Sequence, residues 1–455
     1  MLELKGKKVL VVGLGKSGLA AALFLRRRGA QVTVSDVRSA DALAKDIPAL
    51  LDEGIMVEAG GHGLLTFRRQ DLIVVSPGVP LDTPELVQAK GFGLPVIGEL
   101  ELAARFLKGR IIAITGSNGK TTTTALLGEI LDGIGFPTFV GGNIGVPVAG
   151  LIEDSTPDTW SVLEVSSFQL ESTIEFHPKI AVILNITPDH LDRHGSFENY
   201  ARAKERIFAA QDENDFAVLN ADNTPAVEAA TRVKAKIYWF SVEHPVEQGA
   251  WLQDGFVVYR VARDASIEQV MPLKGIPLKG THNVENVLAV VVAARLAGVP
   301  ADAIRLAIEK FQAVEHRLEY VATINGVEFY NDSKATNVDA TAKAVAAFSA
   351  GVHLILGGKD KDSDYTQLSQ LLRERVSAVY TIGSAAAKIE SHLRGVVSLN
   401  SCETLDKAVS AAASAARPGE IVLLAPACSS FDQFENYEQR GRVFKQLVTE
   451  RQGWK

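Results

Sequence analysis

Cysteine is almost missing from this chain. Only Cys402 and Cys428 occur, neither in a C-x-x-C pair nor near an obvious histidine. That argues against a disulfide framework or a cysteine zinc site and fits a reducing compartment. No uncharged apolar run is long enough to span a bilayer; Val287 to Val299, for example, is interrupted by Arg295. Positive charge is not in excess either: 47 Lys plus Arg against 54 Asp plus Glu leave a formal charge of -7. A general nucleic-acid binder would need a basic face. Low-complexity segments and short internal repeats are also absent. The basic, apolar N-terminus could suggest a signal peptide, but it reads on into a Gly-rich turn with Lys16 and no small-residue cleavage site. Export is therefore rejected and the chain is expected to be cytoplasmic.

What is present is a globular composition, 47% hydrophobic and 22% charged. At this length that suits roughly two to four domains, each with a core. Short β-branched runs alternate with helical patterns, the pattern of an α/β chain with covered parallel sheets. In the first segment Lys7 to Val12 reads as a strand, Gly13 to Gly18 as a turn, Leu19 to Arg28 as a helix and Gln31 to Ser35 as a strand ending at Asp36. Leu72 to Ser76 and Pro95 to Ile97 add strands. Lys108-Gly109-Arg110 is a polar break, after which Ile111 to Thr115, Trp160 to Val165 and Ile180 to Asn185 read as core strands of a second segment. A third begins near Val314, with strands at Val327 to Tyr330, His353 to Leu356, Ala378 to Ile382 and Ile421 to Leu424. The expected division is 1–107, 108–313 and 314–455.

Two glycine-rich turns follow strands. Gly13-Leu14-Gly15-Lys16-Ser17-Gly18 is a complete G-x-G-x-x-G, with Asp36 where a ribose-binding acid usually sits. Read alone it suggests a dinucleotide-dependent oxidoreductase, another phosphate ligand, or only a tight turn. Thr115-Gly116-Ser117-Asn118-Gly119-Lys120-Thr121 leads into a helix near Thr122. Its amides can cradle phosphates, Lys120 can reach the terminal ones and the Thr121 hydroxyl can bind Mg²⁺. It departs from the strict P-loop pattern in having Ile114 in place of the first glycine.

Further candidates lie at strand ends. Glu164 closes the strand before Ser166, either as a Mg²⁺ ligand or as a solvated strand end. Asp189 and His190 share another edge, with functional and structural readings both open. Lys204, in the helical segment Tyr200 to Ile207, reads by itself as a surface lysine. Asn283, with Asn286, opens a helix; position favours an N-cap, although an asparagine amide can also read an adenine edge. In the third segment Asn331 to Asn337, Gly357 to Asp362 and Pro426 to Phe434 leave three strands as polar loops, where an open α/β sheet builds a ligand site. A nucleotide-sensing binding protein would not need three such loops.

Over essentially its full length the chain resembles the Mur ligase family. The resemblance rests on Thr115 to Thr121, Glu164, Asp189-His190, Asn283 with Asn286, and His316-Arg317. Within the family, Asp332-Ser333-Lys334-Ala335-Thr336-Asn337, Gly357 to Lys361 and Pro426 to Phe434 resemble the branch that adds D-glutamate. Sister branches typically carry a Tyr and His-Pro type sequence at 333–336.

The resemblance implies three α/β domains: an N-terminal Rossmann-like domain for a UDP-linked precursor, a central P-loop ATPase-like domain and a C-terminal Rossmann-like domain for the amino acid. It implies a monomeric ATP-dependent ligase joining D-glutamate to UDP-N-acetylmuramoyl-L-alanine through an acyl phosphate, with two Mg²⁺ ions and no nucleic-acid partner. It turns the first Gly-rich loop into a UDP cradle, with Gly15, Lys16, Ser17, Asp36, Arg38 and Gly78 around the nucleotide and Asn143, Ser166 and Gln169 at the muramoyl part. ATP falls to Gly116, Ser117, Asn118, Gly119, Lys120, Thr121, Thr122, Asn283, Asn286, Arg317, Asp332 and Lys334. Thr121, Glu164, His190 and a CO₂-carbamylated Lys204 become metal ligands, and Lys120, His190, Lys204 and Lys334 the catalytic set. D-Glutamate falls to His190, Thr336, Lys361, Ser430 and Tyr437, the last a position where relatives commonly have Phe.

Overall fold

The computed structural model describes residues 2–312 and 314–452. Ala313, where the second segment is expected to end, lies outside the described residues. Three sheets follow one another along the chain. In the first, strands run Met56–Ala59, Gln31–Asp36, Lys8–Val12, Leu72–Val75 and Val96–Gly98, all parallel. The chain winds outward in both directions from Lys8–Val12. The Gly-rich turn that follows this strand therefore sits at a topological switch point, where ligand crevices form.

The second sheet has nine strands. Arg110–Thr115 lies third from one edge, parallel to Trp160–Glu164 on one side and Ile180–Ile183 on the other. Its far edge is an antiparallel meander, Gly249–Gln253, Phe256–Arg260 and Glu268–Pro272. The helix Thr281–Leu296 packs beneath this sheet, with Val287 to Ala294 fully buried. That apolar run is core, and no described helix is long and apolar enough to cross a membrane.

The third sheet has six strands, parallel apart from the opening hairpin Glu319–Ile324 and Val327–Asn331. A final helix, Tyr437–Gln452, follows. The strands that sequence reading did not anticipate include Met56–Ala59, Thr138–Gly142, Glu319–Ile324 and Leu399–Glu403. All four lie at sheet edges. Their partial burial leaves none of the continuous apolar pattern that marks an interior parallel strand.

The first two sheets are clamped together by acids on one helix, Glu99–Ala104. Glu101 accepts hydrogen bonds from the backbone N–H groups of Ile174, Glu175 and Phe176, and Glu99 from that of Ala149 at 2.6 Å. Burial pushes the Glu99 pKa up to about 7.

Candidate functional site

The phosphate loop joins Arg110–Thr115 to the helix Lys120–Gly133. Gly119 caps that helix at φ 89°, and a Cβ there would lie 2.1 Å from Asn286 Oδ1. Only glycine lets the loop turn this closely against Asn286. Asn185 holds the loop from the next strand, accepting from the Asn118 N–H at 2.9 Å. The Ser117 hydroxyl donates to the Thr187 carbonyl and lies 3.0 Å from the Tyr200 hydroxyl. Lys120 folds onto the Gly116 and Ser117 carbonyls, at 2.8 and 3.0 Å.

Thr121 and Glu164 meet behind the loop: the hydroxyl donates to Oε2 at 2.7 Å, while the Asn143 amide donates to Oε1 at 2.8 Å. Glu164 is only 1% exposed, so the solvated strand-end reading does not hold. Burial opposes its charge, but Lys334, Lys120 and these hydrogen bonds hold its pKa below the ordinary value. The surface-lysine reading of Lys204 fails too. Its helix, Phe197–Glu205, turns the side chain inward to 2% exposure, where Nζ donates to the Gly116 carbonyl at 2.8 Å. Burial and the neighbouring Lys120 drive its pKa well down, against the pull of Asp189 and Glu164.

Groups from the third segment reach this centre. Lys334 Nζ donates to the Thr121 hydroxyl, and Arg317 Nη2 approaches it at 3.4 Å. Burial and Arg317 lower the Lys334 pKa to about 7. The Asn337 amide donates to Asp189 at 2.9 Å, and Lys361 pairs with the same carboxylate at 3.4 Å. Burial opposes the Asp189 charge, yet Lys361 and His190 bring its pKa down to about 2. His190 starts the helix Leu191–His194 in the left-handed region, φ 53°. Burial outweighs Asp189 and lowers the His190 pKa to about 4, leaving a neutral ring near pH 7.

These groups surround a cavity of about 360 Å³. Lys120, Ser166, His190, Lys204, Thr336, Lys361, Ser430 and Tyr437 all line it. A second cavity, about 750 Å³, opens from the first sheet; Gly15, Lys16, Ser17, Asp36, Arg38, Gly78 and Gln169 line it. Asn143 and Tyr437 border both, so the two spaces adjoin. Asp36 is built into the Gly-rich turn: it accepts from the Leu14 N–H at 2.7 Å and pairs with Arg38 at 2.8 Å. Burial resists that charge, but Arg38 and the backbone N–H groups bring its pKa down to about 2. Ser166 and Gln169 are engaged with each other in a capping box.

A third space, of about 30 Å³, lies between Asn118, Gly119, Thr122, Asn283, Asn286, Arg317 and Asp332. Burial raises Asp332 to about 6, against Arg317. Position 283 needs a correction. Gly280, not Asn283, caps the helix that starts at Thr281, and the Asn283 amide donates to the Lys279 carbonyl at 2.7 Å. A glycine at φ 90° lets the chain enter the helix three residues sooner than asparagine signals suggest.

Sequence reading missed Asp339. This third-segment carboxylate accepts from the Asn118 side-chain amide at 2.5 Å and from the Thr187 hydroxyl at 3.1 Å. Its only signal was a place two residues beyond the polar loop ending at Asn337, and helix N-termini are commonly acidic for their own sake. Asn185 and Tyr200 were also passed over, because their value lies in holding the loop.

The hydroxyl of Thr121 beside the ionised Glu164 is an oxygen donor set of the kind Mg²⁺ takes with phosphate. His190 and Lys204 line the adjoining cavity, but an unmodified lysine offers no ligand atom while charged. A cation beside His190 would be repelled by Lys204 as long as that lysine is protonated.

The chain matches three family descriptions in order: Mur ligase MurD-like, N-terminal domain, over residues 7–98; Mur ligase middle domain, over 114–294; and Mur ligase, glutamate ligase domain, over 316–428. It is 70% identical over 452 residues to the UDP-N-acetylmuramoylalanine--D-glutamate ligase of Acidobacterium capsulatum, covering 99% of this chain and 98% of that one. The enzyme of the same name from Koribacter versatilis is 60% identical over 447 residues, 98% of each chain. Among solved structures, a pseudomurein peptide ligase type C from Methanothermus fervidus shares the fold at a TM-score of 0.61 and 19% identity, over 98% of this chain and 100% of that one. The UDP-N-acetylmuramate-alanine ligase MurC of Thermotoga maritima does so at 0.60 and 20%, over 98% and 99%. The chain belongs to the Mur ligase family.

Proposed function

We propose that this protein is a cytoplasmic, monomeric ligase that joins D-glutamate to UDP-N-acetylmuramoyl-L-alanine in peptidoglycan precursor synthesis, converting ATP to ADP and phosphate. The observation that carries this reading is the meeting of Lys334 and Arg317, from the third segment, with Thr121 of the phosphate loop. That meeting sits beside a cavity shared by loops from two segments. The relation to D-glutamate ligases supports the choice of substrates.

A carboxylate resists attack by an amine because its carbonyl is electron-rich. In the first step the alanyl carboxylate attacks the γ-phosphorus of ATP and ADP leaves. In the second the D-glutamate amine attacks the acyl phosphate through a tetrahedral intermediate, and phosphate leaves. Both partners of the first step are anions, so positioning and charge neutralisation supply most of the catalysis. Lys120, Thr121, Lys334 and Arg317 serve the phosphates, Asn283 and Asn286 the adenine, and Asp332 the ribose. Thr121 and Glu164 would hold a Mg²⁺, which would supply positive charge to offset that of the two anions. Thr336, Lys361, Ser430 and Tyr437 receive D-glutamate, and the neutral His190 ring orients its amine.

Lys204 fits this scheme as a carbamate. Its neutral amine would add to CO₂ with loss of a proton, giving a carboxylate-like group that would hold a second Mg²⁺. Phosphate release with UDP-N-acetylmuramoyl-L-alanine tests the whole reading, comparing D-glutamate with L-glutamate, lysine and diaminopimelate. D-Glutamate alone is expected to support rapid turnover; comparable turnover with diaminopimelate overturns the assignment.

A further inference from the structure

Arg193 joins two regions that the proposed reaction uses separately. It lies three residues beyond His190, on the short helix Leu191–His194. Its guanidinium reaches out of its own segment, donating to the Val79 carbonyl at 3.1 Å and approaching the Gly78 carbonyl at 3.4 Å. It also sits 4.9 Å from the centre of the Phe168 ring. Phe168 meets the His190 ring edge-on, with centroids 4.9 Å apart. The Arg193 side chain is only 20% exposed, and it also forms an ion pair with Glu171 at 3.7 Å. Among the described residues its side-chain hydrogen bonds go to another domain's backbone.

That backbone is the wall of the large cavity, and it is packed on the Gly-rich turn. Ser76 Oγ donates to the Gly13 carbonyl at 2.6 Å, and a Cβ on Gly13 would fall 2.6 Å from a Val79 methyl. Val79 and the turn line the same cavity, and a diphosphate seated against the turn would bear on Val79 through this close packing. From Val79 and Gly78 the contacts continue to Arg193, from Arg193 to Phe168 and from Phe168 to His190.

We infer that Arg193 is a positioning residue that couples seating of the nucleotide diphosphate in the first-segment cavity to the placement of the His190 ring. The inference rests on the proposed function. It turns binding energy from the distant, unreacting end of the substrate into rate at the acyl centre.

The test uses full-length protein labelled with [¹³C]histidine and UDP as the probe, with Arg193→Met and Arg193→Lys as variants. UDP is expected to shift the His190 ring resonances of the wild type, assigned through His190→Asn, but not those of Arg193→Met. That variant should still bind UDP, and its kcat should fall by about tenfold, a usual size for site-to-site coupling, without a rise in KM for the precursor. Arg193→Lys, which keeps one donor, should fall between and guards against a folding defect in the methionine variant. A merely structural role would raise KM or lower Tm and leave the UDP-induced shift in place. Equal shifts in wild type and Arg193→Met overturn the inference, as does a wild type that binds UDP without any shift. Failure of the wild type to bind UDP overturns the reading of the cavity and the inference with it.

Discussion

The Lys204 ammonium nitrogen lies 2.8 Å from the Gly116 carbonyl oxygen, inside the phosphate loop and 4.6 Å from the centre of the Tyr200 ring. On the proposed reading, a lysine held there with a strongly lowered pKa reacts with CO₂ as the neutral amine. Lys204→Ala is expected to lose roughly 100-fold or more in kcat while remaining folded. Acetate, fitting the vacated space, should restore part of the rate, whereas Lys204→Arg should not respond. A carbamate resonance should appear with ¹³CO₂ in the wild type alone. Near-normal turnover of Lys204→Ala in CO₂-depleted buffer would show that the lysine only packs the loop.

Lys334 should make ATP binding depend on protons. Its pKa is lowered to about 7, so at pH 8 it is mostly neutral. A polyphosphate beside it favours the charged form, and binding at pH 8 should take up a proton; at pH 6 the lysine already holds one. Calorimetry in buffers of different ionisation enthalpy reads this uptake directly, and Lys334→Met should diminish it. The stability consequence has the same origin. Between about pH 7 and the ordinary lysine range the unfolded chain binds more protons, so burying Lys334 costs most at low pH and least at high pH.

Asp339 should act as a latch between the second and third segments. The space beside Asn283 and Asn286 is about 30 Å³, whereas small-molecule sites run to roughly 300 Å³ or more, so the third domain must withdraw to admit ATP. Asp339→Ala removes the acceptor shared by Asn118 and Thr187. Solution scattering without nucleotide should then show a larger radius of gyration than the wild type, and an ATP analogue with precursor should compact both. Superimposable profiles of variant and wild type would assign closure to other contacts.

Gly119→Ala should damage the phosphate loop. The residue sits at φ 89°, which costs an alanine about 1–2 kcal/mol, and the added methyl collides with Asn286. We expect a lower denaturant midpoint and an ATP KM raised by an order of magnitude or so. An unchanged midpoint and KM would show that Asn286 can give way freely.

Much of the architecture was legible in the chain itself. Interior strands such as Arg110–Thr115 and Ile421–Leu424 are buried on both faces and announce themselves as apolar runs. Edge strands such as Met56–Ala59 do not, because half of each meets water. The phosphate loop was visible because glycine, lysine and threonine must be adjacent in sequence to surround one phosphate. Lys334, Lys361 and Tyr437 were placed by likeness to a family, since nothing near them in sequence states what they face.

By itself the sequence determined the interior strands of the three sheets and which strand-end loops can hold phosphate. Those properties arise from hydrophobic period, glycine freedom and residues that act on their neighbours. Tertiary structure alone decided that Lys204 turns inward onto Gly116, that Asp339 grips Asn118, and that Arg193 reaches across to Val79. A lysine, an aspartate and an arginine on amphipathic helices look solvated in one dimension. Their burial, their pKa and their partners are set by segments distant in the chain, which close packing alone brings within a hydrogen bond's length.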